Sequence, residues 1–217
     1  MDALINGDSV KKEDYEEKYG EIPQDPMGRL DYILGQIKSG NSVKGKLLTN
    51  IKKIQAIPWK RIEFVIYLVP KGTPRPRASK WNHFYVKGAA DNKKLFKKFY
   101  KAHMEHIPII KTACKFDCES YLPIPKAMKM YEQIIAELGF IRPISKPDFD
   151  NLAKTYSDML QGILLHDDAL IIDGRSRKFY SVKPRIKITI SYMTDYDCEF
   201  NRKKLEKQTV TVGKDLK

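Results

Sequence analysis

The chain has 217 residues, 42% of them apolar, enough to build a packed core, which excludes a wholly disordered chain. No apolar run reaches the roughly 18 residues of a membrane span, and Met1-Asp2-Ala3-Leu4-Ile5-Asn6 lacks the basic start and apolar stretch of a secretory signal. Net charge is +13, with 40 Lys/Arg against 27 Asp/Glu, so a strongly acidic partner is expected and an acidic solvating protein is excluded.

That charge is uneven. Residues 1–60 hold ten Lys/Arg and nine Asp/Glu, so the rest hold 30 and 18, and nearly all of the basic excess lies after residue 60. A basic domain points to a polyanion, most often nucleic acid; a merely soluble basic surface is the alternative. Cys114, Cys118 and Cys198 are sparse and odd in number. Cys114 and Cys118 lie four apart on a strand-like stretch, facing one side. They read as buried thiols of a reducing cytosol rather than as a disulfide or zinc site.

In chain order, residues 1–25 are polar and acidic and read as a mobile tail. Asp25-Pro26 is a helix start: Asp caps free N–H groups, and Pro at the first helical position loses no hydrogen bond. Leu30, Ile33, Leu34 and Ile37 follow at helical spacing until Ser39-Gly40. Val43, Leu47, Leu48, Ile51 and Ile54 form a second amphipathic face ending at Pro58. The two helices suit a hairpin, and nothing in them suggests chemistry.

The main domain is expected from Arg61. Ile62, Phe64, Ile66 and Leu68 alternate, predicting a strand over 61–69 closed by Pro70 and Gly72. The next stretch, 71–81, carries Lys71, Arg75, Arg77 and Lys80, with Pro74 and Pro76 favouring a stiff, extended loop. Trp81, His83, Phe84 and Tyr85 follow. Cations among aromatics suit phosphate contacts and base stacking; a solvated loop is the alternative. A helix is predicted over 91–103, with Leu95, Phe96, Phe99 and Ala102 inward and a lysine face outward. His103 and His106 read as surface histidines. A half-exposed strand is predicted over 109–121, and a helix over 126–138 with Met130, Ile134, Ile135 and Leu138 inward, closed by Gly139. Extended segments over 169–172, 175–182 and 185–193 complete the domain, followed by a basic tail without periodicity.

The chemistry-bearing stretch is Lys146-Pro147-Asp148-Phe149-Asp150-Asn151-Leu152-Ala153-Lys154, followed by His166-Asp167-Asp168. Pro147 blocks helix before it, and Asp148 or Asp150 starts one. Leu152, Tyr156, Met159, Leu160 and Ile163 give that helix an apolar face, softly broken at Gly162. Asp150, Lys154 and Asp158 share one stripe at i, i+4 and i+8. Spacing alone leaves two readings open. In one, Asp148, Asp150 and Asp168 converge on a divalent metal, since clustered carboxylates need a cation or a proton between them. In the other, a capped helix carries an Asp150–Lys154 ion pair, and the later Asp-Asp belongs to a loop.

The pattern from Lys146 to Asp168 resembles the RusA family of Holliday junction resolvases. The likeness extends to Phe64–Arg77, ending Lys71-x-x-Pro-Arg-Pro-Arg, and to Arg177-Lys178-Phe179-Tyr180 with Pro184-Arg185-Ile186. It covers about residues 61–193. The resemblance implies an α/β (α+β) domain over 61–195 with a small mixed sheet packed by helices; the N-terminal helical extension over 1–60 and the basic tail over 196–217, read from their own residues, have no counterpart in it. It implies a cytoplasmic homodimer that cleaves four-way DNA junctions with Mg²⁺ or Mn²⁺ in recombination and repair, leaving 5′-phosphate and 3′-hydroxyl ends. The metal ligands it implies are Asp148, Asp150 and Asp168, with Asp167 as an alternate ligand or neighbour. Lys154 is the implied charge stabiliser; Asp158 reads as helix surface. Lys71, Arg75, Arg77, Lys80, Arg177 and Lys178 are the expected DNA contacts. A two-fold dimer matches the approximate two-fold symmetry of a four-way junction. The family is common on phages and prophages. A non-catalytic DNA-binding protein and a nuclease of broader branched-DNA taste are the alternatives.

Overall fold

The computed structural model describes residues 3–5, 8–10, 23, 25–35, 40–72, 77–78, 83–84 and 89–212. The chain divides into two compact units, Met1–Ala56 and Ile57–Lys217. In the first, β1 (Ala3–Ile5) pairs antiparallel with β2 (Asp8–Val10), where a mobile acidic tail was expected. Helix α1 (Pro26–Gly35) starts as its sequence dictates: the Asp25 carboxylate accepts from the Gly28 N–H at 2.7 Å. Helix α2 (Gly40–Gln55) is tied to α1 by a 2.6 Å bond from Lys44 Nζ to Asp31, and Leu34 is buried. Ile37 lies outside the described residues.

The second unit is built on a mixed four-stranded sheet. Its strands are β3 (Trp59–Ile66), β6 (Cys114–Pro123), β7 (Ile171–Ser181) and β8 (Arg185–Met193), in the order β3-β8-β6-β7. Antiparallel pairing joins β3 to β8 and β8 to β6; β6 and β7 run parallel. Alternation sets the faces: Phe64, Ile66, Phe116, Cys118, Ile186, Ile188 and Ile190 all point into one core. Two residue pairs, β4 (Arg77–Ala78) and β5 (His83–Phe84), form a short antiparallel ladder. Helix α3 (Ala89–His103) buries Phe96 against Phe64, ring centroids 5.6 Å apart. Leu95 and Ala102, expected inward, are exposed, because only the Phe96–Phe99–Tyr100 edge of α3 meets the sheet. Among the described residues this is an α+β fold after an N-terminal helical region. No described helix is long and apolar enough to cross a membrane.

Four expectations change. The strand predicted from 109 begins at Cys114; Ile110 instead makes an isolated bridge to Leu165. The helix predicted from 126 begins at Met130 as α4 (Met130–Glu137), because 126–129 is spent on a turn. Glu132 then closes that start by accepting from the Lys129 N–H at 2.8 Å. The expected inward face of α4 is largely exposed, with Met130 at 79%, Ile134 at 56% and Leu138 at 67%. Ala136 is the buried residue of α4, and Glu137 holds the end of β7 by accepting from Ser181 Oγ and the Val182 N–H. The basic segment after Cys198 forms helix α6 (Glu199–Val212), with Leu205 buried.

Cys114 and Cys118 are fully buried on the core face of β6, as their alternation predicts, and all three thiols are free. Burial pushes the Cys114 thiol up to about 11 and the Cys118 thiol to about 12. The thiolate is the reactive form, so a thiol reagent at pH 8 should label exposed Cys198 quickly and the other two only after unfolding. Because folding raises both thiol pKa values, stability is full below the ordinary value of 9.0 and falls as pH climbs from there towards 12. Rapid native labelling of Cys118 contradicts the packing.

Candidate active site

The acidic motif opens helix α5 (Phe149–Leu160). Leu152, Tyr156, Met159 and Leu160 are buried in the core, each contributing about 1.5–3 kcal/mol of burial, so the helix is held rigidly. Asp148 is the N-cap, yet its side chain makes no cap hydrogen bond. Asp150, in the first turn, is exposed. Among the described residues neither carboxylate has a salt bridge, and the Asp150–Lys154 ion pair of the second reading does not form. Both carboxylates sit where the helix dipole favours negative charge.

The loop that delivers Asp148 is fixed from β7. Lys178 Nζ donates to Ser145 O at 2.8 Å and to Pro147 O at 3.1 Å, and the Lys146–Pro147 peptide is cis. The Arg142 guanidinium lies 3.5 Å from the centroid of the Phe179 ring, which stacks on Tyr121. Lys178 therefore positions the motif. Arg177 is also engaged: Asp117 and Glu119 hold its guanidinium at 2.7 and 2.8 Å, offsetting its charge and tying β7 to β6.

After Leu160 the chain turns through Gly162 at φ +74° and enters a 3₁₀ turn, Asp168–Leu170, ahead of β7. Asp167 caps that turn by accepting from the Ala169 N–H at 2.9 Å, with Gln161 Nε2 at 3.5 Å. Partial burial, contact with the Asp167 carboxyl, and the charges of Asp167 and Asp158 push the Asp168 carboxyl up. Asp158, read from sequence as helix surface, is half-buried and acts on Asp168.

The acidic residues thus fall into two groups, one at each end of α5. Asp148 and Asp150 stand at its N-terminal end; Asp158, Asp167 and Asp168 gather at its C-terminal end. Eight residues of helix separate Asp150 from Asp158, a rise of about 12 Å. Among the described residues of one chain, no three His, Cys, Asp or Glu side chains gather closely enough to hold a metal. The donor set is all oxygen and carboxylate-rich, which suits a hard divalent cation.

The start of the cationic loop meets the same helix. The Lys71 N–H donates to the Tyr156 hydroxyl at 3.1 Å, and burial pushes that phenol up. A Cβ on Gly72 would lie 2.4 Å from Asn151 Nδ2, so Gly72 allows a close approach. Lys71 is thereby set beside the first turns of α5. The sequence reading took Tyr156 as core alone; its signal was a hydroxyl on a buried stripe, which needs a partner. Arg75 and Lys80 lie outside the described residues, and of Arg77 only the backbone is described, in β4. Lys154 is exposed on α5, one turn from Asp150.

The family model of the endodeoxyribonuclease RusA matches residues 68–191, which include the Lys71 loop, α5, the Asp-Asp turn, β7 and most of β8. A curated relative, the uncharacterized protein YqaN of Bacillus subtilis (strain 168), is 34% identical over 136 residues, covering 59% of this chain and 94% of that protein. With more than half of its length matched across every element that carries the acidic motif, the chain belongs to the RusA endodeoxyribonuclease family.

Proposed function

We propose that this chain is a metal-dependent endodeoxyribonuclease that resolves four-way DNA junctions as a homodimer, with each metal held between two copies. The observation that carries this reading is the separation of the two carboxylate groups on α5, together with the uncommitted state of Asp148 and Asp150. A two-fold axis perpendicular to α5 reverses the helix direction, so the N-terminal end of one α5 faces the C-terminal end of the other. Asp148 and Asp150 of one chain then meet Asp168 of the second copy, with Asp167 beside it. The exposed apolar face of α4, with Phe140 at 79% and Ile144 at 98% exposed just before Asp148, supports a surface that a second copy covers.

Asp148 and Asp150 of one chain with Asp168 of the second copy would hold Mg²⁺ or Mn²⁺, which would polarise the scissile phosphodiester and lower the pKa of water. Lys154 places an ammonium where negative charge grows in the transition state. Lys71 and the cationic loop after it hold the phosphate backbone, which makes binding fall steeply with salt. Lys178 keeps the Asp148 loop in place through its two carbonyl contacts. Hydrolysis leaving 5′-phosphate and 3′-hydroxyl ends produces nicks that a ligase seals, as recombination and repair require.

The test uses end-labelled four-way junction, replication fork and linear duplex, each with Mg²⁺ or with a chelator. Paired, symmetric nicks in the junction that vanish with chelator are expected. Equal cutting of all three substrates overturns junction specificity, and no cutting of any favours a DNA-binding protein without catalysis.

A further inference from the structure

Helix α3 carries Lys93, Lys94, Lys97, Lys98 and Lys101, all of them exposed. At about 100° per residue they fall within an arc of about 140°, on the side of the helix away from the Phe96–Phe99–Tyr100 edge that enters the core. We propose that this face is a docking surface for a duplex arm of the DNA junction, holding its phosphate backbone beside the active site of the same chain. The proposal rests on the nuclease reading above and adds a substrate surface to it.

The charge of this face is not neutralised within the protein. Asp91, in the first turn, is the one carboxylate of the helix. Among the described residues none of the five lysines makes an ion pair. A solvated helix face ordinarily interleaves acids and bases at i, i+4. Here Lys93 and Lys97, Lys97 and Lys101, and Lys94 and Lys98 set like charges at that spacing, which opposes the helix. A polyanion laid along the face relieves the repulsion.

The face also points the right way. Helices α3 and α5 lie next to each other on one face of the sheet, with Phe96, Leu152 and Tyr156 in one core. Both therefore turn their polar sides in the same direction, away from the sheet. On α5 that side carries Asp150 and Lys154, both exposed. Packed helices lie about 8–10 Å apart, less than the roughly 12 Å width of a DNA major groove alone, so DNA seated at Asp150 overhangs α3. From Lys93 to Lys101 the face runs about 12 Å, over which one strand presents three or four phosphates.

The test is binding to a labelled four-way junction in chelator across a salt series, with steady-state cleavage in Mg²⁺ alongside. Lys97→Gln/Lys101→Gln should lower the slope of log affinity against log salt by about 2, weaken binding at about 0.1 M salt by about tenfold or more, and raise KM while kcat holds. Lys97→Arg/Lys101→Arg keeps both charges and should keep the slope. Arg61→Gln/Lys115→Gln also removes two charges, but from the opposite face of the sheet, and should change the slope far less. Removing a like-charge pair from an exposed helix face should leave the melting temperature unchanged or slightly raised, which shows the fold intact. An unaltered slope in Lys97→Gln/Lys101→Gln, or an equal fall in Arg61→Gln/Lys115→Gln, overturns the α3 surface while metal-dependent junction cleavage, and with it the nuclease reading, stands. Failure of the wild-type protein to bind or cut the junction at any salt overturns the nuclease reading itself, and the surface with it.

Discussion

Asp148→Asn is expected to reduce junction cleavage by about a thousandfold, equivalent to about 4 kcal/mol of lost transition-state stabilisation, while junction binding persists or tightens. The direction follows from what Asp148 does in the fold. It occupies the N-cap of α5 without making the cap hydrogen bond, so its charge contributes nothing that Asn cannot replace as a helix start. Asn keeps an oxygen at the site but loses the negative charge that holds a divalent cation. Removing a carboxylate close to DNA phosphate lowers repulsion, so affinity does not fall. Asp150→Asn and Asp168→Asn should behave alike. Thermal melts and binding curves beside cleavage rates check this: loss of cleavage together with folding would make the residue structural, and unchanged cleavage would remove it from the site.

Much of the fold was legible in the sequence because its signals are local. Alternation in Ile186, Ile188 and Ile190 marked a strand buried on one face, and all three are fully buried. The stripe Leu152–Tyr156–Met159–Leu160 marked α5 and its core face, and the Pro147–Asp148 junction marked its start. The alternation Cys114–Phe116–Cys118 placed both thiols in the core. In each case one periodicity decided which atoms leave water.

What escaped depended on partners far away in the chain. The spacing of α4 was helical, but amphipathicity does not say whether the apolar face meets its own sheet; here only Ala136 is buried in that helix. Arg177, expected as a DNA contact, is also engaged by Asp117 and Glu119 on the neighbouring strand. The register of β6 on β7 decides that, and no local pattern carries register between parallel strands. The Lys71–Tyr156 bond spans 85 residues and was equally hidden. The acidic motif itself was visible, but not that its members sit at the two ends of one helix. A 12-residue helix is rigid, so residues at its ends cannot be brought together by folding that chain alone.

That last point makes subunit mixing the most direct test of the proposed site. Chains carrying Asp148→Asn and chains carrying Asp168→Asn, each inactive alone, are refolded together and given labelled four-way junction with Mg²⁺. If each metal is shared, every mixed dimer has one site with both lesions and one site with none. Half of a random mixture is then mixed dimer, with about a quarter of the wild-type number of intact sites. The mixture should nick one strand per junction without completing the paired cut that yields two duplexes. A mixture as inactive as its parents, with mixed dimers demonstrated by differential tags, would contradict the shared site and place all three aspartates of each working site in one chain.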